Sequence, residues 1–459
     1  MTGALEVALG HPPNIAVPGN RWDLLDGIAP AELASVSVIV PHYRQQAELD
    51  RTLAALARQT YPTELVEVIV VDDGSPEPPR VATSVKLLTQ PDRGFRVSAA
   101  RNLGVRHAAG DLLCFLDADS SPEPRYLEEL TRLPSLAPDV VTVATRRHAD
   151  FTGVPPSVPV EQAGPAHELP MPAWLTDEYV RTADLLTADD RSYRFVIGAV
   201  LCCRRSFFDI VGGFDETFTH YGGEDWEWAS RAWSHGAVFA HEGRAVAWHD
   251  GPEWSTRVRS HAERIARKNV ETLRLARSVA ATGSGPAALR IGAPQVAVRL
   301  GGADSMAALV VGVDQLLQAL PGATVIVPLA VHVESDSRLA SVYEVFAGDE
   351  RVVARDAAQP IIHLAGVIVD VPVPVRGLAS HLESAVQRLS RDDLGSIDVI
   401  DPVGATLATV TSTRAVRREA RWALTLFSHE TMVVTDALQI MGEPDLEAYF
   451  GGWDGEPSE

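Results

Sequence analysis

Two carboxylates separated by one residue, Asp117-Ala118-Asp119, end an apolar run from Leu112 to Leu116. If the chain stays extended through the triplet, strand alternation points Asp117 and Asp119 the same way. The carboxyl ends of parallel strands are where open α/β sheets take their ligands. A hard divalent cation wants oxygen ligands, commonly one or two carboxylates together with substrate phosphates. The pair is therefore expected to hold Mn2+ or Mg2+ and, through it, a nucleotide diphosphate. Taken alone, the triplet also reads as a solvated strand-to-helix turn.

Other residues could share that chemistry. Asp72-Asp73-Gly74-Ser75 ends a second apolar run, Leu65 to Val71. One carboxylate there can accept the imide N–H of a uracil, which cytosine lacks; an Asx-type turn before Gly74 is the plainer alternative. Pro41-His42-Tyr43-Arg44 follows a third run, and Tyr43 either borders a nucleobase or packs at the sheet edge. Arg93 and Arg101 are cations that can meet a diphosphate or pair with the aspartates. Glu224-Asp225 opens a helical stretch through Trp226, Trp228 and Trp233. A carboxylate there can take the proton of an attacking hydroxyl, and a helix N-terminus favours the anion. Asp225 is the expected base, with Glu224 as alternative or as a ligand to acceptor hydroxyls; a capping role is the simpler reading. Trp226 and Trp228 offer a platform for a sugar ring, with core packing expected of at least one.

These residues sit at regular places in a strand and helix pattern. Ser35 to Val40 is a β-branched strand stopped by Pro41, and Leu49, Leu53, Leu56 and Ala57 make a helical stripe that ends at Tyr61-Pro62. Leu65 to Val71, Val85 to Leu88 and Leu112 to Leu116 are further strands, and Val97 to Ala109 is a small-residue helix. The order β-α-β-β-α-β predicts an α/β fold with a mostly parallel, doubly wound sheet. Residues 1–34 are expected to pack loosely over it. The polar, Pro-rich connection from about 150 to 192 is long enough to be a lid or acceptor loop, and Phe195 to Cys203 is another strand.

Composition narrows the class. A chain of 459 residues needs two or three domains, and a net charge of −21 argues against nucleic-acid binding. Cys114, Cys202 and Cys203 make no disulfide framework and read as core thiols in a reducing cytoplasm. No long uncharged apolar stretch predicts a membrane span, and the N-terminus has no basic region before an apolar core. A cytoplasmic protein, at most peripheral to the inner face of the membrane, is expected.

Together, SVSVIVPHYR, EVIVVDDGS, DRGFRVSAARNLGVRHAAGD and LLCFLDADS resemble the nucleotide-binding half of family 2 glycosyltransferases of the GT-A fold. The resemblance implies a Rossmann-like nucleotide-diphospho-sugar transferase domain over 35–281. It implies that Asp73, or its neighbour Asp72, reads the uracil and that Arg101 lies near the nucleotide. It also implies that Asp119 ligates the metal while Asp117 touches the ribose and helps hold the metal. Pro41, Tyr43, Arg93 and Ala118 fall within the same nucleotide-sugar site. Arg44 departs from the pattern, which usually carries Asn after the tyrosine. GGFDE followed by GGEDWEWASRAW resembles the galactosyltransferase-like acceptor half of these enzymes, in which the acidic pair opens a helix facing the donor. The resemblance makes His249, otherwise an ordinary histidine, a third metal ligand, and mixed carboxylate and imidazole ligation suits Mn2+ better than Mg2+.

The implied activity is metal-dependent, inverting transfer of a sugar from a UDP-sugar to a hydroxyl of a glycan, lipid-linked or small-molecule acceptor. One rival, a nucleotidyltransferase of related fold, wants a Gly-rich loop after strand one, where PHYRQQAEL has no glycine. The other, a noncatalytic nucleotide- or sugar-binding protein, would need no base.

Glu253 to Ala281 reads as one helix with a basic run, Arg257, Arg259, Arg264, Arg267, Lys268, Arg274 and Arg277. It is either a solvated face, a flap over the diphosphate, or a docking surface for a phosphorylated or lipid-linked acceptor. After a junction at 282–288, the segments 296–300, 306–320, 323–329, 351–354 and 366–371 repeat the opening strand and helix order without DDGS or D-x-D. A hairpin over 397–411 and an Arg-rich helix over 413–427 follow. Residues 290–441 are thus expected to form a second α/β domain, a degenerate GT-A-like copy kept for acceptor binding or assembly, before an acidic tail at 442–459. The sugar, the acceptor, processivity and oligomeric state, a homo-oligomer included, are not legible.

Overall fold

The computed structural model describes residues 7, 9–252, 260–281, 285, 289, 291–328, 342–436 and 438–451. They fall into two compact units, Glu6–Leu275 and one built on Ala276–Glu459.

In the first unit, β1 (Leu9–His11) and β2 (Asn14–Ala16) form a small hairpin. The main sheet comprises β3 (Val36–His42), β4 (Val66–Asp72), β5 (Lys86–Thr89), β6 (Leu112–Leu116), β7 (Ser120–Pro122), β8 (Val140–Ala149), β9 (Glu168–Leu169), β10 (Val200–Arg204) and β11 (Val238–Asp250). Its order is β5-β4-β3-β6-β10-β8-β11-β7, with β9 beside β8. The first four are parallel, as are β8 and β11, while β10 opposes both neighbours and β7 opposes β11. The parallel strands at its centre are mostly apolar because both faces are covered, and β6 is apolar and buried at every residue.

The helices of this unit are α1 (Gln46–Leu56), α2 (Val97–His107), α3 (Tyr126–Leu136), α4 (Val160–Ala166), α5 (Ala173–Arg181), α6 (Arg205–Val211), α7 (Glu224–Ser234) and α8 (His261–Ser278). α2 approaches closely through Gly104, where a Cβ would come 2.5 Å from Ile39. On that face Phe115 packs on Phe208 and Phe214, and these on Trp228 of α7. Cys114 points the other way, toward buried Tyr126 of α3. Alternation along β6 thus separates two helix layers, which makes the sheet doubly wound.

Two local expectations change. Residues 15–28 are not loosely attached: Ile15, Val17 and Leu25 bury against Leu133, Leu136, Val140 and Val238. The Asn20 amide donates to the Leu185 and Phe239 carbonyls at 2.7 and 2.9 Å. The strand expected from Phe195 begins only at Val200, because Gly198 gives its N–H to Asp225 instead of to a ladder.

The second unit contains β12 (Val296–Leu300), α9 (Met306–Ala319), β13 (Ala323–Val327), β14 (Val352–Ala354), β15 (Val367–Val371), β16 (Val375–Arg376), α10 (Ala379–Arg391), β17 (Ser396–Ile400), β18 (Thr406–Ser412), α11 (Thr413–Trp422), β19 (His429–Val433) and β20 (Gln439–Ile440). Its main sheet runs β14-β13-β12-β15-β18-β17-β19. The first four strands are parallel, β18 opposes both neighbours, and β17 parallels β19. Strand for strand, this repeats the order and direction of β5-β4-β3-β6-β10-β8-β11. α11 stops at Trp422, short of the expected Phe427, where Ala423 turns left-handed with φ 52°. The expectations on Glu253 to Arg259, the Arg267 side chain, most of 282–288, Leu329 and the tail from 452 lie outside the described residues.

Candidate active site

β3, β4 and β6 bring their carboxyl ends to a cleft of about 530 Å³. At β6 the Ser120 N–H closes a turn onto the Asp117 carbonyl at 2.9 Å. Extended geometry stops there, so Asp117 and Asp119 do not point the same way. Asp117 Oδ1 accepts from Arg101 Nη2 at 2.9 Å. Asp119 Oδ2 accepts from Gln45 Nε2 at 3.1 Å and lies 3.5 Å from His249 Nε2. Cross-strand pairing of His249 with Ser120 puts the imidazole there.

The His249 Nδ1 faces the Gly251 carbonyl at 3.1 Å, so Nδ1 is the donor of that bond and Nε2 is the atom on the Asp119 side. His148 of β8 reaches the same carbonyl at 3.1 Å. No three His, Cys, Asp or Glu side chains converge on a metal position among the described residues. Asp119 and His249 meet, but Asp117, expected with them, is drawn to Arg101. A guanidinium only 2% exposed must keep its carboxylate partners. A carboxylate oxygen and an imidazole nitrogen, beside a cleft open to phosphate and water, still make a donor set that fits Mn2+.

The two adjacent aspartates separate. Asp72 is fully buried, its Oδ1 accepting from His42 Nδ1 at 3.0 Å and its Oδ2 from the Ser75 N–H at 3.1 Å. His42 Nε2 accepts from the Gln45 N–H at 3.1 Å, which leaves the ring proton on Nδ1 for Asp72. Asp72 therefore anchors the strand end, and Asp73 is the one that lines the cleft. Asp73 accepts from Gln90 Nε2 at 2.6 Å and from the Arg96 N–H at 2.9 Å; burial raises its pKa in spite of them.

Pro41, Tyr43 and Ala118 line the same space. Arg93 is exposed on its loop, and its neighbours Gly94 and Phe95 are the lining residues. Arg44 has a left-handed φ of 58°, a conformation Asn tolerates better, which gives the departure from the motif a physical meaning. Its N–H donates to Ser75 Oγ at 2.9 Å, and its guanidinium lies 4.8 Å from the Tyr43 ring centroid.

Across the cleft, α7 starts after Gly222 and Gly223, with φ of 97° and 93°. Asp225 Oδ2 accepts from the Gly198 N–H, and Oδ1 from the Trp226 N–H, both at 2.9 Å. Glu224 is more deeply buried and accepts from Arg101 Nη1 at 3.2 Å. Burial, then the Asp225 charge, push the Glu224 carboxyl up to about 7 against the pull of Arg101. Burial alone would lower the Arg101 pKa; Asp117, Glu224 and Asp225 outweigh it and raise it. One buried cation thus ties the end of β6 to the acidic helix.

Trp226 lines the cleft, with Lys268 Nζ of α8 4.1 Å from its ring centroid and Trp174 of α5 at 6.4 Å. Trp228, expected beside it against an acceptor, is instead core: fully buried, stacked on Phe208 and donating from Nε1 to the Gly212 carbonyl at 3.1 Å. Two residues apart on a helix face opposite sides, so only one of the pair could reach the cleft. The connection at 150–192 is not a bare loop, since it carries β9, α4 and α5 and supplies Trp174. His42, Gln45, Arg146 and Glu271 also line the cleft and were not singled out. His42 lies within the motif Pro41-His42-Tyr43-Arg44 and Gln45 directly follows it; Arg146 carried no sequence signal.

The sheet order and this cleft define an α/β domain of the GT-A fold. Residues 37–184 match the family model described as glycosyl transferase family 2, and residues 183–243 the one described as N-terminal domain of galactosyltransferase. Residues 37–243 thus carry the sequence patterns of glycosyltransferase domains, the first stretch that of family 2. A chondroitin synthase of Escherichia coli is 28% identical over 51% of this chain and 37% of its own length. A hyaluronan synthase of Pasteurella multocida is 29% identical over 53% and 27%. A validoxylamine A glucosyltransferase of Streptomyces hygroscopicus subsp. limoneus is 33% identical over 45% and 50%. The chain therefore spans about half or less of these curated relatives. A solved structure of GalNAc-T7 with UDP, GalNAc and Mn2+ aligns over 49% of this chain and 45% of that one, at 18% identity and a TM-score of 0.36.

Proposed function

We propose that residues 6–275 form a metal-dependent, inverting glycosyltransferase that moves a sugar from a UDP-sugar to a hydroxyl acceptor. One observation carries the reading: Asp73, Asp119 and Asp225 open onto one cleft at the ends of β3, β4 and β6, with His249 Nε2 3.5 Å from Asp119. Asp73 accepts the uracil imide N–H, and Tyr43 borders the base. Asp119 and His249 would hold Mn2+ or Mg2+, which when bound supplies positive charge to the departing diphosphate. Asp117, kept in place by Arg101, meets the ribose. Asp225 takes the proton of the acceptor hydroxyl as its oxygen attacks the anomeric carbon opposite the diphosphate. The carbon–oxygen bond to the diphosphate breaks with its electron pair on the leaving group, which inverts the anomeric centre.

Trp226 and Trp174 flank the acceptor side. The relatives' names, polymer synthases and a small-molecule glucosyltransferase, support a glycan or small-molecule acceptor. No helix among the described residues is long and apolar enough to cross a membrane. The three buried free thiols suit a reducing compartment, and a cytoplasmic setting is part of the proposal.

The test is UDP release from a panel of UDP-sugars with Mn2+, Mg2+ or EDTA. Metal-dependent release from one donor is expected, lost in Asp119→Asn. Asp225→Asn should keep UDP binding while turnover falls about 10²–10⁴-fold. If no donor is turned over and UDP with Mn2+ does not raise Tm, the uridine assignment is wrong.

A further inference from the structure

This inference rests on the donor-site reading above. Because the second sheet repeats the first strand for strand, the two can be matched by ladder register. Val36 opens the β3 ladder opposite Val66 and Leu112, and Val296 opens the β12 ladder opposite Ala323 and Val367. Counting on from those pairs, Asp117-Ala118-Asp119 corresponds to Pro372-Val373-Pro374. Both carboxylates are replaced by proline. By the same count Asp72 and Asp73 correspond to Leu329 and Ala330, which lie outside the described residues.

Among the described residues the crevice between β12 and β15 is closed as well. In the first unit β3 pairs with β6 only as far as Ile39 and Phe115; the Asp117 N–H then turns to the Ala199 carbonyl at 3.2 Å, and the crevice opens. In the second unit the pairing runs on. Leu300 faces Val371, the Gly301 N–H donates to the Val371 carbonyl at 2.8 Å, and the Gly302 N–H to the Pro372 carbonyl at 2.9 Å. A Cβ on Gly301 would sit 2.4 Å from the Pro372 carbonyl oxygen, so backbone meets backbone where the ligand would enter.

Pro374, in the place of Asp119, packs against Gly312 of α9 and accepts the Met441 N–H at 3.0 Å. Met441 in turn buries against Ala308 and Val311. The base has no counterpart either. α6 and α7 lie between β10 and β11, but α11 alone lies between β18 and β19, and its first turn carries no acidic residue.

We infer that the second unit is a pseudo-transferase domain with no nucleotide-diphosphate site, and that all sugar transfer by this chain passes through the single cleft of residues 6–275. Calorimetric titration of the full chain with UDP, GDP or dTDP in the presence of Mn2+ tests it. The expected result is about one UDP per chain, with affinity at least tenfold weaker in Asp73→Asn/Asp119→Asn. Tyr43→Ala, at an exposed side chain, should weaken the same site if the double variant does not fold. Two nucleotides per chain, or a stoichiometric site indifferent to these substitutions, would overturn the inference. No binding of any nucleotide by the unsubstituted chain would instead overturn the donor site and the count of one with it.

Discussion

Replacing Glu224 by Gln should change how the stability of the catalytic unit depends on pH. The Glu224 carboxyl is pushed from its ordinary 4.5 up to about 7, by burial first and then by the charge of Asp225. The folded chain therefore holds this proton more tightly than the unfolded chain does. The stability linked to it is fully present below pH 4.5 and is lost as pH rises through 7. The difference, 7 minus 4.5, is 2.5, which at about 1.36 kcal/mol for each corresponds to roughly 3 kcal/mol lost by the wild type over that window. The attraction of Arg101 is already contained in the folded value. Gln keeps an acceptor oxygen for Arg101 and has no proton to lose. The stability of Glu224→Gln relative to wild type should thus rise from pH 4.5 to above pH 7, by roughly 3 kcal/mol at most, since Asp225, whose charge contributes to the shift, feels the substitution too. Urea unfolding followed by tryptophan fluorescence reads this unit, since seven of the nine tryptophans precede residue 276. Parallel pH curves for variant and wild type would refute the reasoning. The same variant separates the two candidate bases: turnover should survive in Glu224→Gln if Asp225 is the base, and vanish if Glu224 is.

Four other substitutions follow from the geometry. Trp228→Ala should cost about 3–5 kcal/mol in denaturant unfolding, while Trp226→Ala leaves the midpoint near wild type and raises the acceptor KM; equal costs would contradict the core and cleft assignments. Arg44→Asn should stabilise the fold by about 1 kcal/mol, because Asn accepts the left-handed backbone more readily; a destabilised variant would show that the Arg44 side-chain contacts outweigh the strain. In Gly198→Ala the new Cβ would sit 2.9 Å from Asp225 Cβ and 3.1 Å from Arg101 Nη1. Its kcat should fall while UDP binding measured by calorimetry stays close to wild type, and an unchanged kcat would detach Asp225 from the chemistry.

Much of the architecture is written in local pattern. Runs such as VIVV and LLCFL are apolar at every position because both faces of a central parallel strand are covered, and an Asp follows each. Pro41, expected to stop the first strand, is instead paired within β3, which ends at His42. Their order with the intervening helical stripes implies the doubly wound sheet, and the same order after residue 290 implies its repeat. The carboxylates at strand ends and at the start of α7 were legible for the same reason, since each follows an element boundary. What those side chains face was not. One turn hydrogen bond after Asp117 sends it to Arg101 and leaves Asp119 to His249, and burial beside His42 removes Asp72 from the cleft that Asp73 lines. The Arg101 bond to Glu224 spans 123 residues, and Trp174 and Lys268 come to Trp226 from either side of it in the chain. Periodicity specifies which side of an element is buried. Only the packing of distant segments decides which charged group stands opposite another, because that choice depends on desolvation and hydrogen-bond partners that no local stretch contains.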